Sequence, residues 1–245
     1  MRTLKLLIAF QGTHYHGWQS QRTGKTLQEL FEKHLAKIFN EKISLHGSSR
    51  TDSGVHARGF VAHFKVKSTL SDRQVRDALN YYLPQEVVVL SAKTAPDSFH
   101  ARFNARSKTY QYEIWNHRTR PVFDKAPFAL WLPPKLDVGK MRRAARCLVG
   151  KHDFSAFRAS GEEEHSAVRH IKSLSISRHG HLIKVKITGD GFLKHMVRII
   201  VGTLVSIGRG KLPIGHTISL LESRDRKKSG PTAKPHGLTL VKVSY

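Results

Sequence analysis

The apolar residues of this chain change their spacing from segment to segment, and this change restricts the possible fold more than any other feature. Tyr110, Tyr112 and Ile114 occupy every second position, which is the period of a half-buried β-strand. Residues 27–38 instead carry apolar side chains three and four positions apart, the period of an amphipathic helix. Strand-type segments often follow one another with no helix between them, so the sequence predicts an α+β fold with antiparallel sheets rather than a βαβ succession.

The same patterns predict the individual elements and their grouping. Strands are predicted at residues 4–10, 43–46, 60–66, 87–90, 110–115, 171–177, 182–188 and 238–243. Helices are predicted at residues 27–38, 71–82, 137–149, 192–208 and 217–221, with caps at Thr26 and Asp137. Four prolines within residues 118–136 indicate a connector. We therefore expect subdomains at 1–117 and 137–245, each an antiparallel sheet with helices on one side.

The chain is strongly basic, with 42 Lys and Arg against 18 Asp and Glu and a formal net charge of +24. Between Glu164 and Glu222 the only acid is Asp190, while nine lysines and arginines lie there. Lysine and arginine bind nucleic acids by neutralising phosphates and releasing counterions, so a nucleic acid is the leading partner. An anionic membrane surface is the weaker alternative. The sequence thus predicts a basic, nucleic-acid-binding face on the C-terminal subdomain.

Cysteine and histidine usage bears on the compartment and on metals. Cys147 is the only cysteine, so no intramolecular disulfide can form, which fits a reducing, cytoplasmic setting. The 16 histidines include the pairs His14/His16 and His179/His181, but neither pair has a third ligand at a recognisable zinc spacing. No apolar stretch approaches the length that spans a bilayer. We expect no metal and no membrane association.

The segment Gly47 to Ala57, which reads GSSRTDSGVHA, is the most informative for chemistry. Gly47 and Gly54 bound a loop of small residues from which Asp52 projects, and glycine permits close approach of a ligand to the main chain. From this spacing alone two interpretations are equally good: Asp52 reacts with a ligand, or it caps the loop by accepting hydrogen bonds from nearby backbone amides.

This loop closely resembles the signature loop of the TruA family of tRNA pseudouridine synthases, with Ser49 and Ser53 in place of the usual Gly and Ala. Six further blocks recur in order along the chain, so the resemblance runs from end to end. They are Gly12-Thr13 with Tyr15, Gly17-Trp18-Gln19 and Gln21; Phe99-His100-Ala101-Arg102-Phe103; Tyr110 and Tyr112; His152-Asp153-Phe154 with Ala156-Phe157; Gly191-Phe192-Leu193 with His195-Met196-Val197-Arg198; and Gly237-Leu238 with Leu240-Val241, Val243 and Tyr245. Thr239 and Lys108-Thr109 depart from the family pattern.

The resemblance implies a pseudouridine synthase fold with a central RNA-binding cleft, and an isomerase that acts on tRNA at positions 38, 39 and 40 of the anticodon stem-loop. It implies that Asp52 is the catalytic carboxylate, that Tyr110 stacks on the target base, that Arg50 holds the extruded nucleotide, and that Arg198 pairs with the aspartate. It also implies a homodimer. No cofactor is expected, because exchanging a C–N bond for a C–C bond needs neither a redox group nor an activated donor.

Each of these residues also has a structural interpretation. Tyr110 could be one more inward ring of a strand, Arg198 a helix surface charge, and Arg50 a loop charge that contacts phosphate. His56, Trp18 and Met196 are interpreted as packing or loop structure. The alternative function is a non-catalytic RNA-binding protein or chaperone on the same scaffold, for which an aspartate facing phosphate would be unfavourable.

Overall fold

Residues 1–123, 125–133, 135–159, 161 and 166–245 are described in a computed structural model of the chain. The strands are β1 Arg2–Phe10, β2 His46–Gly47, β3 His56–Val66, β4 Val87–Ala95, β5 Ser107–Trp115, β6 Leu130–Trp131, β7 Gly150–Asp153, β8 Val168–His179, β9 Leu182–Gly189 and β10 Leu238–Ser244. The α-helices are α1 Leu27–Phe39, α2 Asp72–Tyr82, α3 Val138–Ala145, α4 Met196–Gly208 and α5 His216–Ser223. Contacts divide the chain into one unit of Met1–Arg106 with Leu240–Tyr245 and a second of Ser107–Thr239.

The first unit contains a sheet in the order β4-β1-β3-β10, with β2 paired to β3. β1 runs antiparallel to both β3 and β4. Its side chains alternate, so Leu4, Leu6 and Ile8 are fully buried. α1 and α2 begin at side-chain caps, since Thr26 accepts from the Glu29 amide and Ser71 forms a capping box with Gln74.

The second unit contains a sheet in the order β5-β9-β8-β7, with β6 added parallel to β5. β9 runs antiparallel to both β5 and β8. Its inward residues are Ile183, Val185 and Ile187, which are fully buried, whereas Lys186 on the other face is exposed. α4 is the most buried helix described, because apolar residues surround it on nearly all sides.

The α+β class predicted from the sequence is confirmed. The structure adds two short strands that were not predicted, β6 and β7, and the other deviations lie at element ends. α4 begins at Met196 rather than near Phe192, because His195 adopts a left-handed conformation with φ of 60° and interrupts the helix. α3 ends at Ala145 and continues as a short 3-10 turn, and β2 is limited to His46–Gly47. β4 runs to Ala95, beyond the predicted end at Leu90.

The predicted division into 1–117, 118–136 and 137–245 rests on the strand and helix patterns and on the prolines of the connector. The two units described above rest instead on contacts between residues. Contacts group β5 with the C-terminal elements, since β5 pairs with β9 along its whole length. The predicted connector includes Asp124 and Pro134, which lie outside the described residues. The subdomain boundaries and the cleft between the subdomains stay predictions. Within the described ranges, no helix is both long and apolar enough to cross a membrane.

His63 on β3 is an ionisable side chain in the core of the first unit. Only 4% of it is exposed, and its Nδ1 accepts a hydrogen bond of 3.2 Å from the amide of Ala101. Its ring centroid lies 4.7 Å from that of His100 and 5.2 Å from that of His46. Burial, and then the neighbouring histidines, lower the pKa of His63 from 6.5 to about 4. The folded chain therefore holds His63 neutral at pH 7.

Acid should weaken the first unit through this histidine. The unfolded chain binds a proton at His63 near pH 6.5 but the folded chain only near pH 4, so the free energy of unfolding falls as the pH drops through this window. His63→Asn keeps an acceptor for the Ala101 amide and does not titrate. We expect its urea-unfolding free energy to depend less on pH between 6.5 and 4 than that of the wild type. His179→Asn, at an exposed residue, is the control, and identical profiles for wild type and His63→Asn would refute the prediction.

Candidate active site

The loop that carries Asp52 connects β2 to β3 in the first unit. The amide of Val55 donates to the carbonyl of Asp52 over 3.2 Å, and Gly54 follows the aspartate with a φ of 76°. This left-handed glycine closes a tight turn that a residue with a Cβ would adopt only with strain. Asp52 is half-buried, and Arg50 is exposed on the same loop. These two predicted site residues therefore lie on one loop, two positions apart.

A second segment, residues 12–18, holds the Asp52 loop through main-chain hydrogen bonds. The amide of Trp18 donates to the carbonyl of Thr51 over 3.2 Å, and the amide of Gly54 donates to the carbonyl of Tyr15 over 3.2 Å. The amide of Gly12 donates to Nδ1 of His56 over 3.1 Å. The loop is thus tied to its neighbour on both sides of Asp52.

Two glycines make this close approach possible. A Cβ on Gly12 would lie 1.9 Å from the carbonyl oxygen of Val55, and a Cβ on Gly17 would lie 2.4 Å from that of Thr51. Both distances are far below van der Waals contact, and Gly17 also has a φ of 91°. The sequence motif contains both glycines, but their role as spacers for the Asp52 loop is visible only in the folded chain.

Trp18, in the segment that holds the loop, belongs to a buried aromatic stack. The ring of Trp18 stacks on Phe60 with centroids 4.0 Å apart, and both rings are buried. Tyr15 is also buried, and its hydroxyl donates to Glu86 over 3.2 Å, with burial and Glu86 raising its pKa to about 12. The interpretation of Trp18 and His56 as packing residues agrees with their burial. Tyr15 and Glu86 are supporting residues; the sequence analysis gave Tyr15 no role beyond its motif and did not single out Glu86, because only the fold pairs them.

Tyr110 lies on β5 in the second unit, on the face that also carries Tyr112 and Ile114. Only 7% of its side chain is exposed. Its ring meets the edge of Phe192 at a centroid distance of 5.2 Å and an interplanar angle of 88°. This edge-to-face contact holds the tyrosine ring in one orientation.

Arg198 lies in the first turn of α4, also in the second unit, and is more constrained than a helix surface charge. Its Nε donates to the carbonyl of Ala233 over 2.8 Å, and the amide of Ala233 donates back to the carbonyl of Arg198 over 3.1 Å. Burial raises the pKa of Tyr112, and the positive charge of Arg198 partly opposes this shift. The guanidinium is therefore anchored at Nε and aligned by the segment that contains Ala233.

The described residues contain no group of three or more His, Cys, Asp or Glu side chains that could hold a metal ion. The chemistry available at the loop is that of a carboxylate with a neighbouring guanidinium. These two groups can act as nucleophile or base and as an anion contact.

Comparison with known proteins decides the family. A sequence profile described as tRNA pseudouridine synthase matches residues 6–104 and 144–245. The chain belongs to the tRNA pseudouridine synthase family. Tyr110 falls between the two matched segments, whereas Asp52 and Arg50 lie within the first and Arg198 within the second. Members of this family are isomerases that convert uridine to pseudouridine, so the resemblance and the enzyme class expected from the sequence are confirmed.

Relatives named tRNA pseudouridine synthase A match over the full chain. The protein from Thermoanaerobacter sp. strain X514 is 42% identical over 246 residues, and that from Geotalea uraniireducens is 45% identical over 246 residues. In both cases the alignment covers 100% of this chain and 100% of the relative. A relative of the same name from Acetivibrio thermocellus is 43% identical over 254 residues, again with 100% of both chains covered.

Gly17→Ala should damage activity through the position of the Asp52 loop. The new methyl group must displace the carbonyl of Thr51, the residue before the aspartate. A misplacement of about 1 Å costs roughly 100-fold in rate. We expect pseudouridine formation per folded molecule to fall by about that factor, measured as tritium release from tRNA labelled at uridine C5. Gly210→Ala controls for backbone strain, since Gly210 has a φ of 73° but nothing lies within 4 Å of an added Cβ. Equal activities for the two variants would contradict this role of Gly17.

Proposed function

We propose that this chain isomerises uridine to pseudouridine at positions 38, 39 and 40 of the anticodon stem-loop of tRNA, with Asp52 as the catalytic carboxylate. The observation that carries the proposal is the anchoring of the Asp52 loop. Main-chain bonds from Tyr15 and Trp18 fix the loop around an aspartate whose neighbours are small. Such preorganisation is what a reacting carboxylate requires, and a simple loop cap would not need a second segment to hold it.

The reaction balances without an outside reagent. The bond between uridine N1 and the ribose C1′ breaks, the base rotates, and a bond from C5 to C1′ forms. The C5 proton leaves and N1 gains a proton, so no electron donor or acceptor is consumed. The carboxylate of an aspartate can act as nucleophile or base in the first step. This chain's own residues suffice, and no cofactor is proposed.

Three further residues are proposed to bind the substrate. Arg50 is exposed next to Asp52, where a guanidinium can contact a phosphate or fill the space left by an extruded base. Tyr110 offers an aromatic ring fixed by Phe192 to stack on the target base. Arg198, aligned through its Nε bond to Ala233, is proposed as the cationic partner of the aspartate.

The partner and assembly follow from the family and the charge. tRNA is the substrate of the family, and a net charge of +24 suits a polyanion. Exposed cations of the second unit, including Lys172, Lys186 and Lys194, supply contacts to phosphate. We further propose that the chain acts in the cytoplasm as a homodimer, as the family resemblance implies.

Asp52→Asn should abolish turnover and leave tRNA binding nearly unchanged, because the substitution is isosteric and removes only the charge. Loss of a covalent or general-base group costs roughly a thousandfold or more. The assay is reverse-transcription stops at carbodiimide-modified pseudouridine in unmodified tRNA transcripts, with tRNA affinity measured in parallel. Asp52→Ala should be equally inactive.

Asp77→Asn is the matched control, because Asp77 is an exposed aspartate on α2 that pairs only with Arg73 and Arg76 among the described ion pairs. It should keep wild-type turnover. If Asp52→Asn and Asp77→Asn were equally active, the assignment of the catalytic carboxylate would be wrong. If the wild type formed no pseudouridine in any tRNA, the proposed reaction itself would fail.

Arg50→Ala should impair capture of a base-paired target more than that of an unpaired one. Extrusion of a paired base costs a few kcal/mol, and a residue that supports it loses most of its value when the base is already free. We expect a defect of about tenfold or more on a paired uridine and a clearly smaller one on a mismatched uridine in the same stem. Arg58→Ala removes an exposed charge on β3 and serves as the control. An equal defect on both substrates would leave Arg50 as an electrostatic neighbour of Asp52 only.

A further inference from the structure

An exposed aromatic stack lies in the first unit, between β4 and β5 in the chain. The ring of Phe103 lies on that of His100 with centroids 4.2 Å apart and an interplanar angle of 30°. Phe103 is 76% exposed, so most of its ring is accessible to solvent. The guanidinium of Arg102 lies 5.8 Å from the centroid of Phe103. We call these three side chains the stacking platform.

The turn beneath the stacking platform is held rigidly. Nδ1 of His100 accepts hydrogen bonds from the amides of Arg102 and Phe103 at 3.1 and 3.2 Å. The side chain of Asn104 accepts from the amide of His100, and the amide of Asn104 donates to the carbonyl of His100. The backbone that carries the exposed ring is therefore fixed before any ligand arrives. A fixed backbone loses little conformational freedom on binding, which favours affinity.

Isolated exposed apolar residues are common, so exposure alone does not identify Phe103 as a binding residue. Phe103 differs from the other strongly exposed aromatic residues by its parallel ring partner and its adjacent cation. Tyr81, for example, is 82% exposed but meets Tyr82 only edge to face, at 82°. A flat ring backed by a second ring and flanked by a guanidinium has the features that bind an unpaired nucleobase, since every base offers a π-face and is linked to a phosphate.

The stacking platform is also connected to the loop of Asp52 within the same unit. The ring of His100 lies 5.7 Å from that of His46, and His46 belongs to β2, which leads directly into that loop. His100 also meets His63 of β3 edge to face at 4.7 Å. The stacking platform therefore lies, through His100, against the strands from which the Asp52 loop emerges.

We propose that the stacking platform of His100, Arg102 and Phe103 binds one unpaired base of the RNA substrate, with the flanking phosphate at Arg102. The inference rests on the proposed function, because it assumes that the ligand is the RNA on which the chain acts. Charge favours RNA over an apolar protein segment, since residues 98–106 contain two arginines and no acid. The platform supplies affinity and register, while the reacting base belongs to the Asp52 site.

The test compares Phe103→Ala, Phe103→Leu and Phe103→Trp in binding and single-turnover assays with unmodified tRNA. Loss of one stacked base weakens binding about 5- to 100-fold. We expect this loss for Ala and most of it for Leu, with near wild-type affinity for Trp. The rate at saturating tRNA should change little. The emission of the tryptophan introduced by Phe103→Trp should be quenched by tRNA, and Tyr81→Trp should show no comparable quenching.

The salt dependence of tRNA affinity distinguishes the contact of Phe103 with a base from the contact of Arg102 with a phosphate. Phe103→Ala should keep the wild-type slope of log affinity against log salt. Arg102→Gln should reduce the magnitude of this slope by about 1, the contribution of one phosphate contact. The proposal is overturned if Phe103→Ala and Tyr81→Ala bind tRNA alike. It is also overturned if Phe103→Ala changes the oligomeric state in size-exclusion chromatography, because the ring would then contact a second copy of the chain. If the wild type bound tRNA but made no pseudouridine, the proposed function would fail. The role of the stacking platform would still be tested by the tRNA affinities of Phe103→Ala and Tyr81→Ala.

Discussion

The approach of residues 12–18 to the Asp52 loop is the contact on which the proposed chemistry depends. Two backbones lie so close that a single methyl group on Gly12 or Gly17 would overlap a carbonyl oxygen. The hydrogen bonds that this distance permits involve the main chain, so they fix the loop independently of side-chain rotamers. The stack of Trp18 on Phe60 adds side-chain packing between residues 12–18 and β3, the strand that follows the loop. An aspartate on a loop is ordinarily mobile, and here the mobility is removed by a partner segment remote in sequence.

A similarly close approach of two main chains occurs at α4 in the second unit. A Cβ on Gly202 would lie 1.7 Å from the carbonyl oxygen of Pro231, and the amide of Gly230 donates to the hydroxyl of Thr203 over 3.0 Å. The extended segment that contains Ala233 therefore lies directly against the helix, and its carbonyl can receive Nε of Arg198. In each unit a glycine lets a second main chain approach closely, and that approach fixes the segment that carries or contacts a proposed site residue. Arg198 is thereby an anchored cation rather than a freely rotating surface charge.

Recognition of RNA divides into a part that depends on charge and a part that depends on shape. The lysines and arginines that produce the net charge of +24 contribute affinity for any polyphosphate and carry no information about position. Rings held in a fixed orientation, such as Phe103 on His100 and Tyr110 on Phe192, can instead select an unpaired base. The two ring pairs differ in exposure, with Phe103 open to solvent and Tyr110 mostly covered. This difference agrees with a binding role for the first and a role close to the reacting base for the second.

The sequence by itself determined the α+β class, the caps at Thr26 and Asp137, and the loop that carries Asp52, because each depends on residues near one another in the chain. Alternation, helical spacing, capping and a contiguous motif are local signals. Only the tertiary structure decided that α4 starts after a left-handed His195, that Tyr110 is covered, and that Phe103 is exposed on a second ring. It also decided what Gly12 and Gly17 do, since their neighbours Val55 and Thr51 lie dozens of positions away. Such contacts follow from how the strands pair and pack, and no local pattern in the sequence specifies that pairing.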